Sequence, residues 1–279
     1  MLRREKRIIP ALGGHRPDPD MPVLDGTDLL RRVDLCFVLD ATGSMKDYID
    51  AARRELQAFA QTLANHRLRP QMRYALILYR DHPPEDTTFI TKNWPLTEEL
   101  TVIQAALNSA GADGGGDGPE AVIDGLYDAI FLLEWRQGAH KVVVLAGDAP
   151  PHGVGGAGDA FSEGCPCGHD LKAITDQAAE RGITIFALGI GNDASMQKSF
   201  QQIARDGKGR YLALKNARVL IDEIMSVIIP EFGKVEIDIR VRSVYRPGMS
   251  AREIASKTGI DMREVEASII RLRQKEVIK

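Results

Sequence analysis

Three oxygen-bearing side chains follow the first long apolar run of the sequence at alternate positions. The run Val33–Leu39 ends in Asp40, and Thr42 and Ser44 come next. On a nearly extended backbone alternate residues project to the same side, so one carboxylate and two hydroxyls can converge on a single point. All three are hard oxygen donors, which suit Mg²⁺, Mn²⁺ or Ca²⁺ better than zinc or copper. The spacing therefore predicts a divalent-cation site.

A helix N-cap is an alternative explanation of Ser44, because Asp47 follows it three residues later, as in a capping box. This alternative leaves Asp40 unexplained, since a carboxylate that closes a buried strand lies in low-dielectric surroundings and needs a partner. A second apolar run, Lys141–Ala146, leads in the same way to Asp148. Asp148 is either a ligand carried to the same edge of a sheet or an ordinary turn residue.

A glycine-rich loop with two acids lies between these runs. Asp117 and Glu120 enclose Gly118 and Pro119 at the predicted start of a helix. Glycine lets a backbone approach an ion closely. Acids are also favourable at the positive end of a helix dipole, with no ion present. The sequence leaves open whether Asp117 or Glu120 joins the cation site.

The elements that must position these residues alternate apolar runs with helical patterns, which is typical of a parallel sheet covered on both faces. Strands are predicted at Val33–Leu39, Met72–Tyr79, Thr88–Thr91, His140–Ala146, Ile183–Leu188 and Arg210–Leu214. Helices are predicted at Met45–His66, Glu98–Ala110, Pro119–Glu134, Leu171–Arg181, Ser195–Arg205 and Ala217–Ile229. The expected fold is α/β, with a doubly wound, mostly parallel sheet. Ligands of such folds bind beyond the carboxyl ends of the strands.

The chain divides into four predicted segments. Residues 1–32 are rich in Pro, Gly and charge, so they are expected to form an arm or tail. Residues 33–231 form the α/β domain. Residues 232–246 alternate apolar and polar side chains, which predicts a connecting β-strand. Residues 247–279 form a small helical module.

The motifs resemble the metal ion-dependent adhesion site (MIDAS) of von Willebrand factor A (VWA) domains. The resemblance rests on Asp40-x-Thr42-x-Ser44, the Asp117-Gly-Pro-Glu120 loop and Asp148, in this order on this fold pattern. The later loops look most like bacterial and kinase-associated members, and the Asp-x-Pro-Glu loop is similar to that of integrin β subunits. The resemblance implies an adhesive, non-enzymatic protein that holds Mg²⁺, Mn²⁺ or Ca²⁺. The ion would capture an Asp or Glu carboxylate of a partner protein.

A second group of residues offers softer ligands. Cys165, Cys167 and His169 lie close together, and His152 lies upstream on the same predicted loop. Two thiols and two imidazoles suit zinc, although the two cysteines are closer in sequence than in most zinc sites. A compact, turn-rich loop without metal is the alternative.

The carboxy-terminal module begins with a capping box formed by Ser250 and Glu253, and Asp261 starts a second helix. The module resembles the helix-turn-helix of small bacterial winged-helix regulators, and a generic helical hairpin is the alternative. A DNA-binding regulator that uses the α/β domain as a sensor is therefore a second functional hypothesis. Its expected nucleic-acid contacts are Arg252, Arg263, Arg271 and Arg273. Glu264 and Glu266 on the second helix would oppose them.

Other classes of function are disfavoured. The net charge of -3 gives no sign of nucleic-acid or membrane binding, and no apolar run is long enough for a signal peptide or a membrane span, so a cytoplasmic protein is expected. The run Gly189–Ala194 fits a dinucleotide fingerprint in form, but it follows the fifth major strand instead of the first. A metal-dependent phosphohydrolase is a minority hypothesis, because Thr42 stands where dehalogenase-type phosphatases have a second aspartate.

Overall fold

A computed structural model of the chain describes residues 29–111, 118–155 and 158–279. Its sheet has six strands in the order β3-β2-β1-β4-β5-β6. The strands are β1 (Arg32–Asp40), β2 (Gln71–Tyr79), β3 (Thr91–Thr97), β4 (His140–Gly147), β5 (Ile183–Ile190) and β6 (Lys208–Leu214). Only β3 runs antiparallel to its neighbour. The predicted doubly wound, mostly parallel sheet is therefore confirmed. Most of the amino-terminal arm (1–28) and Asp117 lie outside the described residues.

Helices cover both faces of this sheet. They are α1 (Lys46–Ala64), α2 (Leu100–Ser109), α3 (Val122–Tyr127), α4 (Leu171–Glu180), α5 (Ala194–Asp206), α6 (Leu220–Val244), α7 (Ala251–Thr258) and α8 (Met262–Gln274). A π-helical turn, Asp128–Leu132, continues α3. Helices α1, α2 and α6 pack on one face, and α3, α4 and α5 pack on the other.

Strand β1 lies at the centre of the sheet and divides its side chains between the two cores. Leu35, Phe37 and Leu39 belong to the core beneath α1 and α6, whereas Cys36 and Val38 belong to the core beneath α3 and α4. Because the strand is buried on both faces, its apolar run is continuous and shows no alternation. Its last residue is therefore held rigidly at the carboxyl edge of the sheet.

The third strand lies later in the chain than predicted. The sequence pattern favoured Thr88–Thr91, whereas the strand occupies Thr91–Thr97. It contains Pro95. The proline is tolerated because β3 is an edge strand and its pairing register shifts at this point.

The predicted connecting strand within 232–246 is wrong, because α6 continues to Val244. Pro230 did not end the helix. A proline inside a helix leaves the carbonyl four residues earlier without its N–H donor. Here that carbonyl, of Ser226, accepts a hydrogen bond from the Arg210 guanidinium at 2.7 Å. The tertiary structure thus compensates for the missing donor.

Buried polar contacts explain why the second half of α6 is stable as a helix. Glu231 Oε2 lies 2.7 Å from His140 Nε2 on β4. Asp238 is fully buried and receives hydrogen bonds from Ser268 at 2.8 Å and from Arg271 at 2.6 Å. Glu231 and Asp238 lie about two turns apart on the same side of the helix. In a strand, two residues at this spacing would project to opposite faces.

The carboxy-terminal module is helical, as predicted. Ser250 caps α7 in a capping box with Glu253, and Asp261 caps α8. Between the two helices, Gly259 takes the left-handed conformation with φ of 68°, which favours glycine. Side chains from α6, α7, α8 and the chain end share a small core: Val241, Tyr245, Ile254, Ile260, Val265, Leu272 and Ile278, joined by Leu30. Within the described ranges no helix combines the length and the apolar character needed to cross a membrane.

Candidate metal-binding site at the strand ends

The loop after β1 brings Asp40 and Thr42 into direct contact. Thr42 donates two hydrogen bonds to Asp40 Oδ1, from its backbone N–H at 2.8 Å and from its hydroxyl at 2.6 Å. The Thr42 hydroxyl oxygen lies 3.4 Å from that of Ser44. Asp40 and Thr42 are buried and Ser44 is exposed. The three side chains therefore extend from the end of the sheet to the surface.

Ser44 does not cap the following helix. Helix α1 begins at Lys46, its N-cap position is Met45, and no side chain donates or accepts a capping hydrogen bond there. A three-residue 3₁₀ turn, Gly43–Met45, comes between Thr42 and the helix. The capping-box explanation of Ser44 is therefore wrong, and its hydroxyl is available for another role.

Asp40 has one carboxylate oxygen without a hydrogen-bond donor. Its Oδ2 atom is buried and has no hydrogen-bond partner among the described residues. Burial raises the pKa of Asp40 to about 7, and the negative charge of Asp148 contributes in the same direction. The acids at the ends of β1 and β4 therefore repel each other electrostatically. A cation beside them would relieve both the desolvation and the repulsion.

Tyr79, the last residue of β2, lies beneath these acids. Its hydroxyl is buried and donates a long hydrogen bond, 3.4 Å, to the carbonyl oxygen of Ala146. Burial raises the pKa of Tyr79 well above its ordinary value, and the charges of Asp40, Asp148 and Glu120 add to the effect. Three carboxylates from separate parts of the chain therefore lie close enough to Tyr79 to disfavour its ionised form.

Gly147 makes room for this arrangement. A Cβ atom at position 147 would clash with the Tyr79 hydroxyl and would lie 3.4 Å from Asp40 Oδ2. The glycine is not in a left-handed conformation, so its small size and not its backbone freedom is what the site requires. Sequence reasoning missed both Tyr79 and Gly147.

The loop that carries Glu120 pairs with the loop that follows Asp148. The Glu120 N–H donates to the carbonyl oxygen of Pro150 at 3.0 Å, and the next N–H, of Ala121, donates to that of Arg80 at 2.8 Å. Glu120 is buried, with 4% of its surface exposed. These backbone bonds hold the loops after β2 and β4 beside the start of α3. Asp117 lies outside the described residues, so Glu120 is the acid of this loop that the structure describes.

Asp40, Thr42, Ser44, Glu120 and Asp148 are named here the strand-end site, as the candidate ligands at this edge of the sheet. Asp148 is half-buried and Ser44 is exposed, so the site opens to solvent on one side. Its side chains supply only carboxylate and hydroxyl oxygens, the ligands that Mg²⁺, Mn²⁺ and Ca²⁺ prefer. The donor set fits a hard divalent cation.

The two cysteines predicted to bind zinc contact a different set of residues, after β2 and on α3. Cys165 Sγ is 3.1 Å from Asp124 Oδ2, and Cys167 Sγ is 3.7 Å from His82 Nε2. A hydrogen bond from Cys165 and the proximity of His82 lower the pKa of Cys167 to about 6. Burial opposes the charged form of His82, but its contacts with Asp124, Asp81 and Cys167 raise its pKa to about 11.

The two histidines predicted to bind zinc with these cysteines make other contacts. His152 Nε2 lies 2.8 Å from Asp81 Oδ1, and its Nδ1 lies 2.9 Å from Asp159 Oδ1, so both ring nitrogens have carboxylate partners. The ring of His169 stacks on that of Tyr127 with a centroid distance of 3.8 Å. The thiols instead meet His82 and Asp124, which the sequence argument did not consider. The signal for His82 was its place in the loop after β2, at the same edge of the sheet as Asp40 and Asp148.

The arginines expected to contact nucleic acid differ in their surroundings. Arg252, Arg263 and Arg273 are exposed. Arg271 instead pairs with the buried Asp238 and ties α8 to α6. Glu264 and Glu266 are exposed on the same helix as these last arginines. The surface of α8 is therefore of mixed charge.

Comparison with protein families agrees with the fold. Residues 34–135 match the family model described as von Willebrand factor A domain. The match begins in β1, includes Asp40, Thr42, Ser44 and Glu120, and ends before Asp148. The chain is therefore similar to this family over these residues, and its six-stranded α/β fold agrees with the match.

Curated relatives are much longer proteins. The chain is 29% identical over 144 residues to the alpha-protein kinase vwkA of Dictyostelium discoideum, an alignment covering 51% of this chain and 23% of the kinase. It is 26% identical over 210 residues to a putative ariadne-like RING finger protein of Acanthamoeba polyphaga mimivirus, covering 72% of this chain and 20% of that protein. The chain thus spans less than a quarter of either relative.

A solved structure shows the same fold. The crystal structure of the conserved hypothetical protein BatB from Bacteroides thetaiotaomicron superposes with a TM-score of 0.50 at 18% identity. The superposition covers 72% of this chain and 99% of BatB. At this identity the likeness concerns the fold alone.

Proposed function

We propose that this chain binds a partner protein through a divalent cation held at the strand-end site. Asp40, Thr42, Ser44 and Asp148 would hold the ion, and Glu120 or Asp117 would complete the set. The observation that carries the proposal is the buried Asp40 Oδ2 atom, which has no hydrogen-bond partner among the described residues. The negative charge of Asp148 also repels the Asp40 carboxylate.

The bound ion would supply a positive charge beside the acids of the strand-end site. The exposed side of the site, at Ser44 and Asp148, leaves room for a ligand from outside the chain. An Asp or Glu carboxylate of the partner matches a hard cation in charge and donor type. The sheet holds Asp40 in place before the ion arrives, which reduces the ordering cost of binding.

The ion-binding step is tested by calorimetry on the full chain, stripped of metal and titrated with Mg²⁺, Mn²⁺ and Ca²⁺. Asp40→Asn keeps the side-chain size and removes the charge, so it should lower the affinity for the preferred ion about 100-fold or more. Asp47→Asn is the matched control, since Asp47 is exposed on the adjacent helix turn. No measurable ion binding by the wild type, or equal losses in the two variants, contradicts the proposal.

Glu120→Gln and Asp117→Asn separate the two candidates for the last ligand. Only the variant that removes a ligand should weaken ion binding by about tenfold or more. Partner binding is then measured by capture from a native lysate, with the wild type and Asp40→Asn, each with Mg²⁺ and with chelator. A partner that fits the proposal is retained by the wild type with Mg²⁺ and lost in the other three samples.

We do not propose DNA binding by the carboxy-terminal module. Arg271, one of its four expected contacts, is engaged with Asp238 inside the protein. Glu264 and Glu266 stand exposed beside the remaining arginines of α8 and would repel phosphates.

A further inference from the structure

We propose that His82, Asp124, Cys165 and Cys167 form a structural zinc site, separate from the strand-end site. The four residues, named here the cysteine cluster, come from three parts of the chain: the exit of β2, helix α3 and the long loop before α4. Their ligand atoms all lie within 4.8 Å of one another. This convergence of two thiols, an imidazole and a carboxylate carries the inference.

The distances match those that a tetrahedral zinc site requires. With ordinary zinc–ligand bond lengths, neighbouring ligand atoms are separated by about 3.3–3.8 Å. In the cluster, His82 Nε2 lies 3.2 Å from Asp124 Oδ2. The two sulfur contacts, Cys165 with Asp124 and Cys167 with His82, measure 3.1 and 3.7 Å. Small side-chain movements would accommodate the ion without moving the backbone.

The chemistry of the ligands selects zinc over the ions of the strand-end site. Thiolates are soft ligands and favour zinc, whereas Mg²⁺ and Ca²⁺ require oxygen donors. Four protein ligands close the coordination shell, which is typical of a structural rather than a catalytic zinc site. On binding, the cysteines coordinate as thiolates and His82 as the neutral imidazole, so the protons that these three groups carry are released.

Neighbouring groups would orient the ligands. His82 is 2% exposed, and its second ring nitrogen, Nδ1, lies 3.7 Å from Asp81 Oδ1. This nitrogen has no hydrogen-bond partner among the described residues. On the other side, His169 Nε2 lies 3.6 Å from Asp124 Oδ1. Histidine and carboxylate ligands of zinc commonly have such outer partners, which fix ring orientation.

The site would cross-link a long loop to the α/β core. Between Gly147 and Leu171 the described residues contain no helix or strand. Connections of this length without regular structure are uncommon in compact domains unless they have a function. A zinc ion at the two cysteines would attach this loop to α3 and to the exit of β2. The loop would then be ordered by the ion instead of by an apolar core of its own.

The test measures zinc bound by the reduced full chain in the presence of excess Mg²⁺, by metal analysis and by titration with Zn²⁺. Co²⁺ serves as a spectroscopic probe, because tetrahedral thiolate ligation gives thiolate-to-cobalt charge-transfer absorption. The variants are His82→Gln and Cys167→Ser. Cys167 is exposed, so serine there leaves no cavity and the variant should fold. The controls are Cys36→Ala, for the cysteine outside the cluster, and His169→Gln, for the histidine that sequence reasoning had assigned as a ligand.

We expect one zinc per chain and a cobalt spectrum with thiolate charge transfer. His82→Gln and Cys167→Ser should each lower zinc affinity about 100-fold or more, because each removes a direct ligand. Cys36→Ala should leave zinc affinity close to that of the wild type, since Cys36 is outside the cluster. His169→Gln should lose less than the ligand variants, about tenfold, since His169 is only an outer partner.

Three results would overturn the proposal. They are a wild type that retains no zinc, a cobalt spectrum without thiolate charge transfer, and equal losses in the variants and controls. A cluster held by hydrogen bonds alone predicts the first of these. None of the three depends on Mg²⁺ uptake by Asp40, so failure of this inference and failure of the proposed function are distinguishable.

Discussion

The strand-end site and the cysteine cluster are neighbours in the fold, but they are supported in different ways. Asp40 and Asp148 lie at the ends of buried parallel strands, and the sheet determines their positions. In the cysteine cluster His82 follows a strand, whereas Cys165 and Cys167 lie on a loop that the described structure leaves without helix or strand. Strand ends can hold ligands in place before an ion binds, and a loop needs the ion as a cross-link.

The two regions also differ in donor chemistry. The strand-end site offers carboxylate and hydroxyl oxygens, and the cysteine cluster offers two thiols, an imidazole and one carboxylate. Hard and soft ions should therefore sort between them. This comparison makes the two sites separately testable within one chain.

The largest expected effect is a complete separation of the two ions by single substitutions. Asp40→Asn should lower Mg²⁺ affinity about 100-fold and leave zinc affinity within about twofold, and Cys167→Ser should do the reverse, because the sites share no ligand. Calorimetry with each ion on both variants measures the four values. If either substitution lowers the affinities for Mg²⁺ and zinc equally, the two regions form one coupled site, and the distinction between them is wrong.

Removal and return of the metals should change thermal stability unequally. Zinc at about 100 times its dissociation constant would stabilise the chain by about 2.7 kcal/mol, and Mg²⁺ at about ten times its own would contribute about 1.4 kcal/mol. Tm should rise by about 5 °C or more with zinc and by less with Mg²⁺. Thermal scans of stripped protein with each ion returned measure this. If Mg²⁺ raises the Tm of Asp40→Asn as much as that of the wild type, Mg²⁺ binds outside the strand-end site.

Gly147→Ala should damage the strand-end site and spare the cysteine cluster. The added methyl group would clash with the Tyr79 hydroxyl, so we expect a loss of about 1–3 kcal/mol in the free energy of unfolding. The double variant with Tyr79→Phe should recover part of this loss, because the clashing oxygen is removed. Denaturant unfolding of the single and double variants checks both values. If Gly147→Ala leaves the free energy of unfolding unchanged, the packing of Gly147 against Tyr79 is less tight than the structure shows.

Tyr79→Phe alone should have the smallest effect. Its hydroxyl makes one long hydrogen bond, 3.4 Å to Ala146, so its removal should change the free energy of unfolding by less than about 1 kcal/mol. Mg²⁺ affinity should change little, since the phenol lies beneath the acids and is not one of the proposed ligands. A large loss of Mg²⁺ affinity, measured by the same calorimetry, would make Tyr79 part of the ion's ligand set.

Much of the fold followed from local patterns. Five of the six strands predicted for the sheet coincide with strands of the structure to within two residues at each end, because buried parallel strands have continuous apolar runs between polar ends. Val235–Val244 shows the limit of such patterns. Its alternation indicated a strand, but α6 is stabilised by the contacts of Glu231 with His140 and of Asp238 with Arg271. Tertiary contacts of this kind override a local preference.

The sequence by itself determined that Asp40 and Asp148 stand at the carboxyl ends of buried strands, because strand periodicity and length are local properties. Only the tertiary structure decided which side chains meet the cysteines. Cys165 contacts Asp124 at a separation of 41 residues and Cys167 contacts His82 at a separation of 85, where sequence proximity had indicated His152 and His169. The path of a long loop depends on the surface it packs against, and no local period encodes that surface.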